Sequence, residues 1–171
     1  MQGQTRRLVV IRHSKAEQTG ESDAARELTR RGTDDAAAAG AWLAREDVAP
    51  DHALVSDSVR TRQTWAALSG GAGWEVGARF DDGLYEAGPE TALDLIRETP
   101  SATATLVVIG HNPTMGHLAQ MLDDGSGDAD AGAEMAAGFP TSAVAVFEYD
   151  GEWRDLDITG ARLVGFHVGR G

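Results

Sequence analysis

Hydrophobic positions in this chain gather into short unbroken runs. Three stand out: RLVVIR (7–12), HALVS (52–56) and TLVVIG (105–110). Runs of this kind read as strands covered on both faces, because a half-exposed strand would alternate. Between them the pattern turns helical. TDDAAAAGAWLAR (33–45) offers Thr33 as an N-cap, with Asp34 and Asp35 in the first turn. SVRTRQTWAAL (58–68) offers Ser58 as a cap, and PETALDLIRE (89–98) puts Pro89 at a first helical position. NPTMGHLAQML (112–122) places Asn112 at a cap and Pro113 just inside. Strands alternating with such helices predict an α/β fold with a largely parallel central sheet.

The last third reads differently. SAVAVFEYDGEWRDLDI (142–158) alternates, and its Asp150-Gly151 step predicts a two-residue hairpin. ARLVGFHV (161–168) predicts one more strand, so the sheet should carry an antiparallel edge. DDGSGDADAGAEMAAG (123–138) reads as a mobile acidic loop, its Asp and Gly out of register for calcium binding. GGAG (70–73) follows a helix rather than a strand, so it is not a dinucleotide fingerprint. There is no internal repeat, and 171 residues suit a single domain, 1–171.

Composition narrows the function. A net charge of -12 argues against nucleic-acid partners and against an anionic membrane surface. A small anion site remains open to it, since the local field of a pocket can oppose the net charge. The chain has no cysteine, which excludes disulfides and thiol redox chemistry and suits a reducing, cytoplasmic setting. No signal-peptide pattern precedes the first apolar run, and no run approaches the roughly 18 residues of a membrane span. Fourteen arginines stand against one lysine, Lys15.

Ligands of open α/β sheets bind beyond the carboxyl ends of the strands. The first predicted strand ends in Arg12-His13, and the second ends in Ser56-Asp57 and leads into a helix with Arg60 in its first turn. The third ends in Gly110-His111 before a capped helix. Guanidinium groups would repel a metal cation, whereas their forks match phosphate oxygens. The expected ligand is a phosphate ester or phosphoramidate, with no metal and no cofactor. Held by Arg12 and Arg60, its phosphorus could be attacked by a neutral His13, giving a phosphohistidine enzyme that water hydrolyses. His111 would donate to the phosphate. Glu86, in a loop after a possible edge strand, offers a partly buried general acid.

VVIRHSKAE, VSDSVRTRQTW, LYEAG and VVIGHNPTM, in this order, resemble the histidine phosphatase superfamily, and within it the SixA-like phosphohistidine phosphatases. The resemblance runs from residue 7 to about 148 and takes in FPTSAVAVFE (139–148). It implies a three-layer αβα sandwich of the phosphoglycerate mutase-like kind. It implies His13 as nucleophile, with Arg12, Arg60 and His111 on the phosphoryl group, and it matches Glu86 to the acid of the wider superfamily. SixA itself lacks that carboxylate. Ser14 stands where the superfamily has glycine and could add a hydroxyl to the phosphate cradle. Lys15 could reach the rim, and Asn112 joins Ser14 and Lys15 among the expected substrate contacts.

The chain lacks the long insertions that cover the pocket in larger members. An open site suits phosphohistidine on a signalling protein, such as a histidine-containing phosphotransfer domain. A phosphatase or mutase of a small phosphorylated metabolite is the alternative. A module that binds a phosphate ligand without turnover is a third possibility, opposed by the intact set of Arg12, His13, Arg60 and His111. His52, His117 and His167 read as structural or exposed, the four tryptophans as packing residues, Asp57 as a turn or cap, and Arg62 as pointing away from Arg60.

Overall fold

A computed structural model of the chain describes residues 4–171. The element order is β1 (Thr5–Arg12), α1 (Arg30–Arg45), β2 (His52–Ser56), α2 (Val59–Ala72), β3 (Ala78–Asp81), α3 (Pro89–Arg97), β4 (Thr105–Gly110), α4 (Thr114–Leu122), α5 (Ala129–Ala137), β5 (Ala143–Asp150) and β6 (Arg162–Val168). The strands form one sheet in the order β3-β2-β4-β1-β5-β6. β3, β2, β4 and β1 run parallel, while β5 and β6 add an antiparallel edge.

Helices cover both faces, and the pleat explains how. Leu8 and Val10 point to one face, and Val9 and Ile11 to the other. The first pair packs with Leu93 and Ile96 of α3, Leu118 and Leu122 of α4, and Met135 of α5. The second packs with Ala39 and Leu43 of α1 and with Trp65 and Leu68 of α2. The unbroken apolar runs thus reflect a sheet buried on both sides.

Register sets up the site. Arg12 pairs with Gly110, Val55 with Ile109 and Ser56 with Asp81. The carboxyl ends of β1, β2, β3 and β4 therefore lie level, and the residues following them leave the sheet together.

Glycine enables one close approach here. A Cβ on Gly32 would lie 2.0 Å from the carbonyl oxygen of Lys15. The first turn of α1 is therefore pressed against the backbone just after His13.

Five expectations need correction. α1 begins at Arg30, and its N-cap is Thr29, whose side chain accepts from Gly32 N. Thr33 instead donates back to the Thr29 carbonyl from inside the first turn. Asp35 is buried, accepting from the Gly171 amide and pairing with Arg170. α4 starts at Thr114 with Pro113 in the cap position, although Asn112 Oδ1 still accepts from Gly116 N at 3.1 Å.

Asp150-Gly151 makes no two-residue hairpin. β6 pairs antiparallel with β5 but begins only at Arg162. Apolar anchors draw the connection across the bottom of the sheet: Trp153 is buried with Nε1 donating to Thr103 O, and Leu156 is buried nearby. Residues 123–138 are not simply a loop either. Asp128 caps α5, which buries Ala131 and Met135. No helix among the described residues is long and apolar enough to cross a membrane.

Candidate active site

His13 emerges from β1 with its amide donating to Gly110 O at 3.0 Å. Its side chain is buried, and Nδ1 lies 2.7 Å from the carbonyl oxygen of Ser14. A carbonyl only accepts, so Nδ1 carries the hydrogen in the neutral ring and Nε2 holds the lone pair. The loop that makes this bond is itself fixed. Ser14 N donates to Thr64 Oγ1 at 3.1 Å, and Ser142 N donates to His13 O at 3.2 Å.

His111 leaves β4 beside it, the two ring centroids 5.4 Å apart. Its Nε2 lies 2.8 Å from Ser56 Oγ, at the end of β2. Its Nδ1 is buried with no partner among the described residues. The same is true of Arg12 Nε and Arg60 Nε. Buried donors left unpaired cost stability, so such a cluster points to a ligand.

Arg60 stands in the first turn of α2, which Ser58 and Thr61 start with a capping box. Arg12 Nη1 donates to Phe139 O at 3.3 Å, and Asn112 Nδ2 donates to the same oxygen at 2.7 Å. Both side chains are thereby braced against the segment entering β5.

Electrostatics favour neutral imidazoles. Burial, aided by His111 and by the Arg60 and Arg12 charges, pushes His13 down to about 3, against the Ser14 hydrogen bond. Burial and the Arg60 charge push His111 down to about 4. Both rings are uncharged near pH 7.

The structure thus brings Arg12, His13, Arg60 and His111 together, with Asn112 at their edge. It does not bring in the rest. Ser14 is fully buried, and its hydroxyl is paired with Ser142 Oγ rather than turned to the cup. Lys15 is exposed, with no side-chain hydrogen bond among the described residues. Glu86 is exposed rather than partly buried, at a positive φ of 61°. The neighbouring Tyr85, not Glu86, sits edge-on to His111, ring centroids 5.4 Å apart.

Sequence reasoning passed over Asp23 and Tyr85. The Tyr85 hydroxyl donates to Asp23 Oδ2, and Asp23 also pairs with Arg60. Tyr85 lay inside a motif that drew attention to Glu86, and Asp23 sits in a loop without periodicity. Arg62 does point away, paired with Asp57 at 2.7 Å and lying 3.8 Å over the Phe80 ring. His167 stacks on Trp42. A separate hollow of about 290 Å3, lined by Thr99, Ser101, Glu152, Trp153 and Arg154, holds none of these groups.

Comparison with known proteins adds to this geometry. Residues 8–99 match the histidine phosphatase superfamily (branch 1). An uncharacterized protein of Mycobacterium tuberculosis, Rv1276c, is 40% identical over 162 residues, covering 94% of this chain and 100% of that protein. A candidate phosphohistidine phosphatase SixA from Nakamurella multipartitia superposes with a TM-score of 0.87 at 32% identity, over 99% of both chains. Another, from Agrobacterium tumefaciens, gives a TM-score of 0.76 at 31% identity, over 95% of this chain and 97% of that one.

Proposed function

Because the chain belongs to the histidine phosphatase superfamily, with its phosphoglycerate mutase-like fold, and is a phosphatase of the histidine-nucleophile kind, we propose that it removes phosphate from phosphohistidine on a protein. Its residues would serve as one histidine phosphatase domain acting without a metal, in a cytoplasmic setting that suits a chain lacking cysteine. The likeness to SixA proteins at 31% and 32% identity supports this choice of substrate.

The observation that carries the mechanism is the bond from His13 Nδ1 to the Ser14 carbonyl, which leaves Nε2 as the nucleophile. That lone pair attacks phosphorus in line, the bond from phosphorus to the leaving imidazole nitrogen breaks, and His13 becomes phosphorylated. Water then attacks phosphorus, the bond to Nε2 breaks, and phosphate and free His13 result. Arg12 and Arg60 stabilise the charge on the equatorial oxygens. In the tautomer in which Ser56 Oγ donates to His111 Nε2, His111 Nδ1 carries a hydrogen and adds a third donor. An imidazole leaving group needs less acid help than an alkoxide, which fits an exposed Glu86. Any proton from Glu86 would come from the rim.

The test is a panel of substrates given to the wild type and His13→Ala side by side. A phosphorylated histidine-containing protein should turn over faster than phosphorylated metabolites, and only with the wild type. Preference for a metabolite would move the substrate assignment, and turnover by His13→Ala would end the mechanism.

A further inference from the structure

Both terminal nitrogens of Arg60 donate to a single residue. Nη1 donates to the Asp23 carbonyl oxygen at 2.7 Å, and Nη2 donates to Asp23 Oδ2 at 3.1 Å. Each terminal nitrogen keeps a second N–H, and Nε is buried and unpaired. Asp23 is in turn held by others. Tyr85 donates to Oδ2, and Arg26 Nη1 donates to Oδ1 at 2.9 Å.

The loop carrying Asp23 is tied down at several points. Glu17 N donates to Glu27 O at 2.7 Å and Thr29 N to Lys15 O at 2.9 Å, which close its neck. Val59 N donates to Ala24 O at 2.9 Å, and Leu28 N donates to Gln63 Oε1 at 2.7 Å, which seat it on α2. One carboxylate therefore joins the segment after β1, the first turn of α2 and the connection before α3.

The Tyr85 and Arg26 hydrogen bonds, with Arg60 behind them, hold the Asp23 carboxyl well below the usual carboxylate range. Asp23 is thus ionised near neutral pH and is no proton donor there. Its side chain is also 54% exposed, and ion pairs of that kind contribute little to stability. What the contacts do supply is direction. A free arginine explores many rotamers, whereas a two-point clamp on its terminal nitrogens selects one.

We propose that Asp23 is a positioning residue, which clamps Arg60 so that the N–H groups it leaves free are presented to the phosphoryl group. This rests on the reading of Arg60 as a phosphoryl-binding residue. The opposite reading of the same contacts is a plug, in which the carboxylate competes with the substrate for Arg60. The two differ in sign.

The test is steady-state turnover of p-nitrophenyl phosphate and its inhibition by inorganic phosphate, in Asp23→Ala, Asp23→Asn, Arg60→Ala and the double variant Asp23→Ala/Arg60→Ala. Misplacing a catalytic contact by about 1 Å can cost about 100-fold, so Asp23→Ala should lower kcat/KM by that order and weaken phosphate inhibition. Asp23→Asn keeps an acceptor for Nη2 and should recover most of the loss. In the Arg60→Ala background, removing Asp23 should cost less than about twofold, since residues acting through one another are not additive. Equal losses in both backgrounds, or a gain in turnover, would overturn the proposal. Should Asp23→Ala fail to fold by circular dichroism, Tyr85→Phe removes one support of the carboxylate and must show the same dependence on Arg60. Arg60→Ala with unchanged phosphate inhibition would instead overturn the underlying reading of Arg60.

Discussion

His13 Nδ1 donates to the carbonyl oxygen of Ser14, the next residue along the chain, at 2.7 Å. So short a loop leaves the imidazole little freedom. The register Arg12↔Gly110 places His13 at the level of His111, and the Thr64 and Ser142 contacts hold the backbone that supplies the acceptor.

The first prediction concerns pH. An unfolded imidazole titrates near about 6.5. In the fold, His13 is pushed down to about 3 and His111 to about 4. Between those limits the unfolded chain binds more protons, so the fold loses stability as the pH falls from about 6.5 toward 4. Each imidazole contributes up to about 1.4 kcal/mol per pH unit in that window. Urea unfolding of the wild type and His13→Gln at pH 7 and pH 5 should show the larger acid loss in the wild type. The acid limb of kcat/KM should lie below about pH 5, where a limb near 6.5 would mean an unshifted nucleophile.

The second prediction concerns Gly32. A methyl group there would meet the Lys15 carbonyl oxygen at 2.0 Å, and backbone cannot rotate away. Overpacking of this kind costs about 1–3 kcal/mol. Gly32→Ala should therefore lower the unfolding midpoint and, by shifting the segment that follows His13, lower turnover as well. Gly70 is the control. Nothing lies within 4 Å of a Cβ there, so Gly70→Ala should leave turnover unchanged and gain up to about 1 kcal/mol in helix stability.

The third prediction separates substrates at Glu86. An alkyl phosphate releases a strongly basic alkoxide, while phosphohistidine releases an imidazole. If Glu86 supplies the proton from the rim, Glu86→Gln should slow an alkyl phosphate by about 100-fold or more and phosphohistidine by only a few-fold. Equal effects on the two would remove Glu86 from proton transfer.

Much of this was legible in the sequence because its signals were local. Ser58 at the head of α2 and Pro89 at the head of α3 carry their meaning within one helical turn. The three apolar runs gave three of the four parallel strands, and the residues ending them gave Arg12, His13 and His111. Signals depending on distant partners were misread. Asp150-Gly151 looks like a hairpin until the burial of Trp153 and Leu156 is known. Thr33 looks like a cap because Thr29, the actual one, precedes two arginines rather than an apolar stretch. Asp23 has no local pattern at all, since its partners Arg60 and Tyr85 lie 37 and 62 residues away.

The most direct test of the account is to trap the enzyme during turnover and find where the phosphate sits. Rapid acid-free quenching followed by peptide mapping should recover one phosphoryl group on His13, labile in acid and stable in alkali. Phosphate on any other residue, or turnover without a phosphorylated enzyme, would contradict it.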